Sequence, residues 1–364
     1  MRLVDEFRQR SRVEEVVFRI KQVAVKLGRV CLMEVCGTHT HNFYRFGLNQ
    51  LLPPEIELLA GPGCPVCVSP NEYIDGAIAL ARQPRNIVAT FADMLRVPGT
   101  ESTLEKERAK GARIQIVYSP LEALNLAEAS PKNNIIFLGV GFETTAPTVA
   151  LTVLQAKKKR LKNLFFYNSL KLMPPVMQAL LKERRLGIQG FLCPGHVSVV
   201  IGVNAYEFIP RRYKIPCCVA GFEPLDILEG IYLLLRQILK KSPCVDNQYI
   251  RAVTRDGNPY AQRIIAAVFC RTTSHWRGLG RIPLSGLALK KGFSDFDAVV
   301  RFSGLLRKGF KTKKSNCSCP EVLKGLIKPA QCRLFKRVCT PENPQGPCMV
   351  SQEGACYAYF RYAA

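Results

Sequence analysis

No hydrophobic run in this chain of 364 residues approaches the roughly 20 apolar residues that a membrane-spanning helix needs. The best stretch, Ile227 to Leu239, is broken by Glu229 and Arg236. The opening residues, Met1-Arg2-Leu3-Val4-Asp5-Glu6, lack the apolar segment of a secretory leader, so a cytoplasmic protein is expected. Histidine is scarce, with four residues, and acidic residues are outnumbered by Lys and Arg, 28 against 52, for a formal charge of +24. Binding to nucleic acid would need those cations on one face, interleaved with aromatics or inside a recognisable module, and neither pattern occurs. The cations fall instead at the ends of helical stretches, Lys157 to Arg160 and Lys182 to Arg185, where they suit the helix dipole, and in a linker-like run, Lys311 to Lys314. With 48% hydrophobic and 22% charged residues, disorder is excluded as the main state.

Cysteine is what the chain has in excess, with fifteen residues. In a reducing compartment they are not a disulfide framework, which leaves metal ligation, redox chemistry and burial. Cys36, Cys64 and Cys67 lie among Gly, Pro and His near the start, and Cys317, Cys319, Cys332, Cys339, Cys348 and Cys356 crowd the tail. Cys31, Cys217 and Cys218 sit in apolar strand-like runs and read as core residues.

Hydrophobic periodicity predicts a helix over Val13 to Leu27, then β-branched runs alternating with helical ones. Strands are expected at Cys31–Val35, Glu57–Ala60, Asn86–Phe91, Arg113–Tyr118, Ile135–Val140, Leu164–Asn168, Ile188–Leu192 and Cys217–Ala220. The alternation is that of parallel sheets covered on both faces. Its restart at Asn134 favours two α/β domains, 30–130 and 131–242. Beyond them a mixed stretch, with Trp276-Arg277-Gly278-Leu279-Gly280 and a helix near Tyr260–Phe269, leads into the Cys-rich tail. Together 243–364 form a third region, against which the N-terminal helix of 1–29 is expected to pack.

Ligands in open α/β sheets bind beyond the carboxyl ends of the strands, and five unusual loops fall there. In Cys36-Gly37-Thr38-His39-Thr40-His41, a thiol three residues from an imidazole fits a nucleophile with its base or a metal site; a buried Cys beside surface His is the plainer alternative. In Gly61-Pro62-Gly63-Cys64-Pro65-Val66-Cys67-Val68-Ser69-Pro70, Ser69, Pro70 and Glu72 predict a capping box. A helix start there would lower the thiol pKa of the CxxC pair, the logic of a thioredoxin-like redox pair. A zinc ribbon would need a second CxxC, which is absent. The loop Gly139 to Pro147 resembles a phosphate loop only loosely, without a third Rossmann Gly or a Gly-Lys-Ser/Thr, and reads equally as a capped turn. Cys193-Pro194-Gly195-His196 and Gly221-Phe222-Glu223-Pro224 complete the set. Three of the four histidines, His39, His41 and His196, lie in these loops, and Glu223 could be simply a favourable charge at a helix start. In the tail, Cys317, Cys332, Cys339 and Cys356 are separated by 14, 6 and 16 residues. Four thiolates from one segment suit Zn²⁺ or a [4Fe–4S] cluster, and spacing alone does not choose; Cys319 and Cys348 are alternates.

Taken in order, these motifs resemble the HypD family of [NiFe]-hydrogenase maturation proteins. The resemblance rests on Met33 to His39, Gly61 to Pro70, Gly141 to Pro147, Pro194 to Ser198, Gly221 to Pro224, Trp276 to Gly280, and the tail segments Gly346 to Ser351 and Glu353 to Cys356. It spans about Val4 to Tyr362; only the +24 charge is foreign to the pattern. It implies two α/β domains around a cleft with a [4Fe–4S] region. It also implies a scaffold on which iron acquires two cyanides and one carbon monoxide, with a HypC-type chaperone as partner, a HypE-type protein as cyanide donor, and the hydrogenase large subunit as destination. By motif match Cys36 would ligate iron together with a HypC cysteine, with Cys64 and Cys67 the redox and iron-proximal pair. His39 and His196 would be cleft residues, His196 and Glu223 could guide protons or hold the diatomic ligands by hydrogen bonds, and Cys317, Cys332, Cys339 and Cys356 would hold the cluster. Two alternatives from the residues alone are an Fe–S thiol–disulfide oxidoreductase acting on a small molecule and a Zn-tailed nucleic-acid-binding protein.

Overall fold

Each of the eight expected strands forms, within a residue or two of its expected ends, because each is a short apolar run, and the central ones are buried on both faces. The computed structural model describes residues 5–183, 186–306, 310 and 316–363. The Lys311 to Lys314 run, and Arg184 and Arg185 of the second basic run, lie outside the described residues.

Helix α1 (Arg10–Leu27) leads to β1 (Val30–Glu34), helix α2 (Gly37–Arg45), β2 (Ile56–Ala60) and helix α3 (Asn71–Ala81). Next come β3 (Asn86–Thr90), β4 (Ile114–Ile116), α4 (Pro120–Ala129), β5 (Asn134–Gly141), α5 (Ala146–Lys158), β6 (Leu164–Leu170) and α6 (Met173–Leu180). The α/β part closes with β7 (Gly190–Pro194), α7 (Gly195–Ile201), β8 (Cys217–Ala220), α8 (Pro224–Lys240) and β9 (Val245–Asn247). Two sheets result, in the orders β2-β1-β7-β8-β9 and β4-β3-β5-β6, with every neighbouring pair parallel.

The sheets do not follow the division expected at 130/131. The chain begins in the first sheet, crosses to the second through α3, and returns after α6 to add β7 beside β1. Alternation of elements predicts parallel pairing but carries no strand order, so this excursion was invisible in it. A second correction concerns the N-terminal helix. Its buried face, Val16, Val17, Ile20 and Ala24, joins Leu228, Ile231 and Leu235 of α8 in a core on the back of the first sheet, not the C-terminal region.

The mixed stretch contains helix α9 (Pro259–Val268) and an antiparallel hairpin, β10 (Phe269–Trp276) with β11 (Gly280–Leu289). At its tip Gly278 (φ 80°) and Gly280 (φ 74°) take left-handed conformations that the tight turn requires. A Cβ on Gly278 would also lie 2.7 Å from Pro320 Cα, so glycine lets the tip seat on the tail. The tail ends in helix α10 (Ala355–Tyr362), where Tyr359 meets Tyr44 of α2 edge to face. One continuous core joins Met33 of the first sheet, Ile136 of the second, Trp276 of the hairpin and Met349 of the tail.

Candidate functional site

The segment Cys36 to His41, expected as a loop, is the start of α2, with Cys36 in extended conformation (φ −143°) as its N-cap. Gly, Thr and His are weak helix formers, and tertiary contacts impose the helix. A Cβ on Gly37 would fall 2.4 Å from Glu353 Cβ, and one on Gly63 would fall 2.3 Å from the Cys36 nitrogen. With the Gly37 N–H donating to Gly63 O (2.9 Å), the two glycines bring Cys36, the CxxC loop and the tail into backbone contact.

Cys36 is buried, and the nearby backbone N–H groups of Thr38 and His39 favour its thiolate. Burial, reinforced by the nearby Glu353, nevertheless pushes this thiol up to about 12. The Cys36 N–H donates to Glu34 Oε2 (2.8 Å), and the Thr40 hydroxyl donates to the other oxygen of the same buried carboxyl. Glu353 accepts from Thr38 Oγ1 (2.7 Å). Neither Glu34 nor Glu353 stood out as a site residue in the sequence. Their signals were a carboxylate ending an apolar strand and one flanking a Gly-Ala-Cys run.

His39 is fully buried, and its Nε2 donates to Gly221 O (2.8 Å), which leaves Nδ1 a bare acceptor without a partner. Burial lowers its pKa to about 4, so the ring is neutral. His196, at the start of α7, stacks on Phe222 with ring centroids 3.9 Å apart, and His39 meets the other end of the cluster at 5.0 Å from Phe222. Burial lowers the His196 pKa too. Two expected site histidines from different loops therefore share one aromatic partner. Glu223 is oriented differently. It caps α8 reciprocally with Asp226 and forms an ion pair with Arg8. His41 turns to the tail, Nδ1 to Gln352 O at 3.1 Å.

The CxxC thiols stand 2.7 Å apart as Cys67 Sγ and Cys64 Sγ. The capping box expected beside them does not form. Helix α3 begins only at Asn71, and the Ser69 hydroxyl donates back to Pro65 O (3.0 Å), closing the CxxC turn on itself. The lowered thiol pKa expected from the helix start is also absent at Cys67. Complete burial is the main cause of a strong upward shift, with Cys64 and Cys319 beside it adding to it.

Cys67 does not end at its partner. Its thiol lies close enough to that of Cys348 for the two to interact, and Cys348 in turn stands against Cys319 (Sγ to Sγ 2.6 Å) and near Cys356. Cys319 in turn contacts Cys317. The two tail cysteines outside the 14-6-16 spacing thus connect the CxxC pair to Cys317 and Cys356. Cys339 lies within electrostatic reach of Cys317, Cys332 and Cys356. Such an all-thiol donor set, buried or half-buried, fits a soft iron–sulfur group. Among the described residues no three His, Cys, Asp or Glu side chains are drawn together at metal-ligating distance. Arg277 clamps the arrangement, its N–H donating to Val68 O (2.9 Å) and its Nε to Ser69 O (2.8 Å).

Fold and site define a class: a parallel α/β protein whose strand-end loops and Cys-rich tail converge on a buried thiol centre. A family model described as "HypD: Hydrogenase formation hypA family" matches residues 11–363. The chain is 44% identical to the hydrogenase maturation factor HypD of Azotobacter vinelandii, covering 100% of this chain and 97% of that one. It is 44% identical to HypD of Escherichia coli K12 (100% and 98%) and 41% identical to HypD of Cupriavidus necator (100% and 97%). The chain belongs to the HypD family of hydrogenase maturation factors. No helix among the described residues is long and apolar enough to cross a membrane.

Proposed function

We propose that this chain is the scaffold on which the Fe(CN)₂CO unit of a [NiFe]-hydrogenase is assembled, with Cys36 as the protein's ligand to the iron. The observation that carries the reading is the meeting of Cys36, the CxxC turn and the tail through Gly37 and Gly63. A thiolate is the soft donor that low-spin iron with strong-field cyanide and carbonyl ligands prefers. Binding displaces the Cys36 proton, and the Glu34 and Glu353 carboxyls stand beside it to take part in that transfer. The unpartnered Nδ1 of His39 is an acceptor, and with His196 it forms the polar lining offered to cargo held between the strand ends. A HypC-type chaperone would supply a second thiolate, and a HypE-type protein the cyanide.

The thiol series supports a supply of electrons. Exchange from a Cys319/Cys348 dithiol to a Cys64–Cys67 disulfide breaks one S–S bond and forms another, moving two electrons and two protons to the CxxC pair. A [4Fe–4S] cluster held by Cys317, Cys332, Cys339 and Cys356 would supply single electrons to that series. The thiol series by itself also favours a second reading, an oxidoreductase acting on a small molecule without iron cargo.

Infrared spectroscopy of the protein co-purified anaerobically with its small partner tests the proposal. Metal-bound CN and CO bands are expected, and they should vanish in Cys36→Ala. Bands that survive this substitution would exclude Cys36 as the ligand, and a complex without bands in the unsubstituted protein would favour the oxidoreductase.

A further inference from the structure

A large cavity lies away from the thiols, between the end of β5, helices α6 and α9 and the hairpin, with a volume of about 1090 Å³. That is at the upper end of the range for small-ligand sites, roughly 300–1,000 Å³. Leu172, Phe269 and Leu287 contribute apolar walls. Among the described residues five cations line it, Lys182, Arg212, Arg271, Arg281 and Lys290, against a single carboxyl, Glu143. Glu143 is 3% exposed. Its Oε1 accepts the Met173 N–H (2.9 Å), while Oε2 is buried without any partner. An unpaired carboxyl oxygen in a wall is costly unless a ligand donor completes it. Arg271 is near enough to act on Glu143 electrostatically, so anion-attracting and acceptor groups face the same space.

We propose that this cavity binds an organic anion with an apolar body and an N–H or O–H donor, the donor on Glu143 Oε2 and the negative groups on Arg271 and Arg281. The apolar walls exclude a bare inorganic anion as the preferred occupant, because it would leave them wet. The cations exclude a neutral apolar molecule as the best fit, and the carboxyl of Glu143 sets the ligand's orientation. The site is joined to the thiol centre through Phe142, which stacks on Trp276 next to Arg277.

Dansyl-glutamate is a suitable probe, with a naphthalene body, a sulfonamide N–H and two carboxylates; dansylamide lacks the charges. Fluorescence titration of the full chain should show saturable binding of dansyl-glutamate at one equivalent, with dansylamide weaker by about tenfold or more. Arg271→Gln with Arg281→Gln, both exposed on the hairpin, should weaken dansyl-glutamate by about tenfold while circular dichroism stays unchanged. Glu143→Gln keeps its amide oxygen on the Met173 N–H and presents a donor to the cavity. Binding should therefore fall several-fold. Equal affinity for the two probes, no response to the arginine pair, or no saturable binding would each overturn the proposal.

Discussion

The two sheets share one architecture and almost nothing of their chemistry. Both are parallel, and both send strand ends toward the core that joins sheet, hairpin and tail. Yet no cysteine lies between Cys67 and Cys193, the span that builds the entire second sheet. The first sheet's loops carry Cys36, Cys64, Cys67, His39, His196 and Phe222, and the tail packs on two of them, with Glu353 against Gly37 and Pro347 O against Cys67. The second sheet's loops carry Glu143 and open onto a cavity. The lesson is that fold places loops at a common edge, while loop residues decide what chemistry occurs there.

The strongest test of this contrast cuts the thiol series. Cys348→Ser should slow reduction of the Cys64–Cys67 disulfide by about tenfold or more in stopped-flow thiol trapping. An unchanged rate would mean that the CxxC pair draws electrons without the tail.

Glycine packing should separate the sheets next. Gly63→Ala in the first drives a Cβ into backbone of Cys36, with an expected loss of about 1–3 kcal/mol in urea unfolding. Gly139→Ala in the second meets the Asn168 side chain, Oδ1 at 2.1 Å and Cγ at 3.2 Å, with backbone no nearer than 3.5 Å, and should cost clearly less. Equal losses would remove the claim that the first sheet's loops are the tightly locked ones.

Acid should act on the region around the second sheet. Glu107, between β3 and β4, is held down to about 2, first by Arg82, then by Ser102 and Lys110. A folded pKa below the unfolded value means that the stabilisation is complete above the ordinary carboxylate range and is lost as pH falls toward 2. Allowing for screening at the exposed Lys110 and half-exposed Arg82, this is about 1–2 kcal/mol. Urea midpoints at pH 3 and 6 should differ less in Glu107→Gln than in the unsubstituted chain. The smallest effect is expected at a cap: Ser119→Ala removes the acceptor for the Leu121 N–H (3.2 Å) at the start of α4, costing about 0.5–1 kcal/mol in the same assay.

Strands were legible because period and β-branching are local properties, and β5 and β6 were read within about two residues. The candidates for the proposed site were picked out for the same reason: Cys36, Cys64, Cys67, His39 and His196 stand in unusual local strings. What failed was whatever depends on a distant partner. Ser69 has the local signature of an N-cap, but Pro65 O claims its hydroxyl. Cys67 sits near a helix start, but burial outweighs the dipole. Glu223 reads as a site acid, yet Arg8, far away in the chain, pairs with it. The family resemblance, carried by whole motifs, survived these local errors.

By itself, then, the amino-acid sequence determined the element types, the parallel sheets, the family and the candidate residues for the proposed chemistry. Only the tertiary structure decided strand order, the return of the chain to its first sheet, and the place of Cys319 and Cys348 between the CxxC pair and the other tail cysteines. The reason is physical. Helix and strand preference are set by neighbours a few residues away, whereas thiols 29 positions apart meet only after loops have closed and glycines have let their backbones touch.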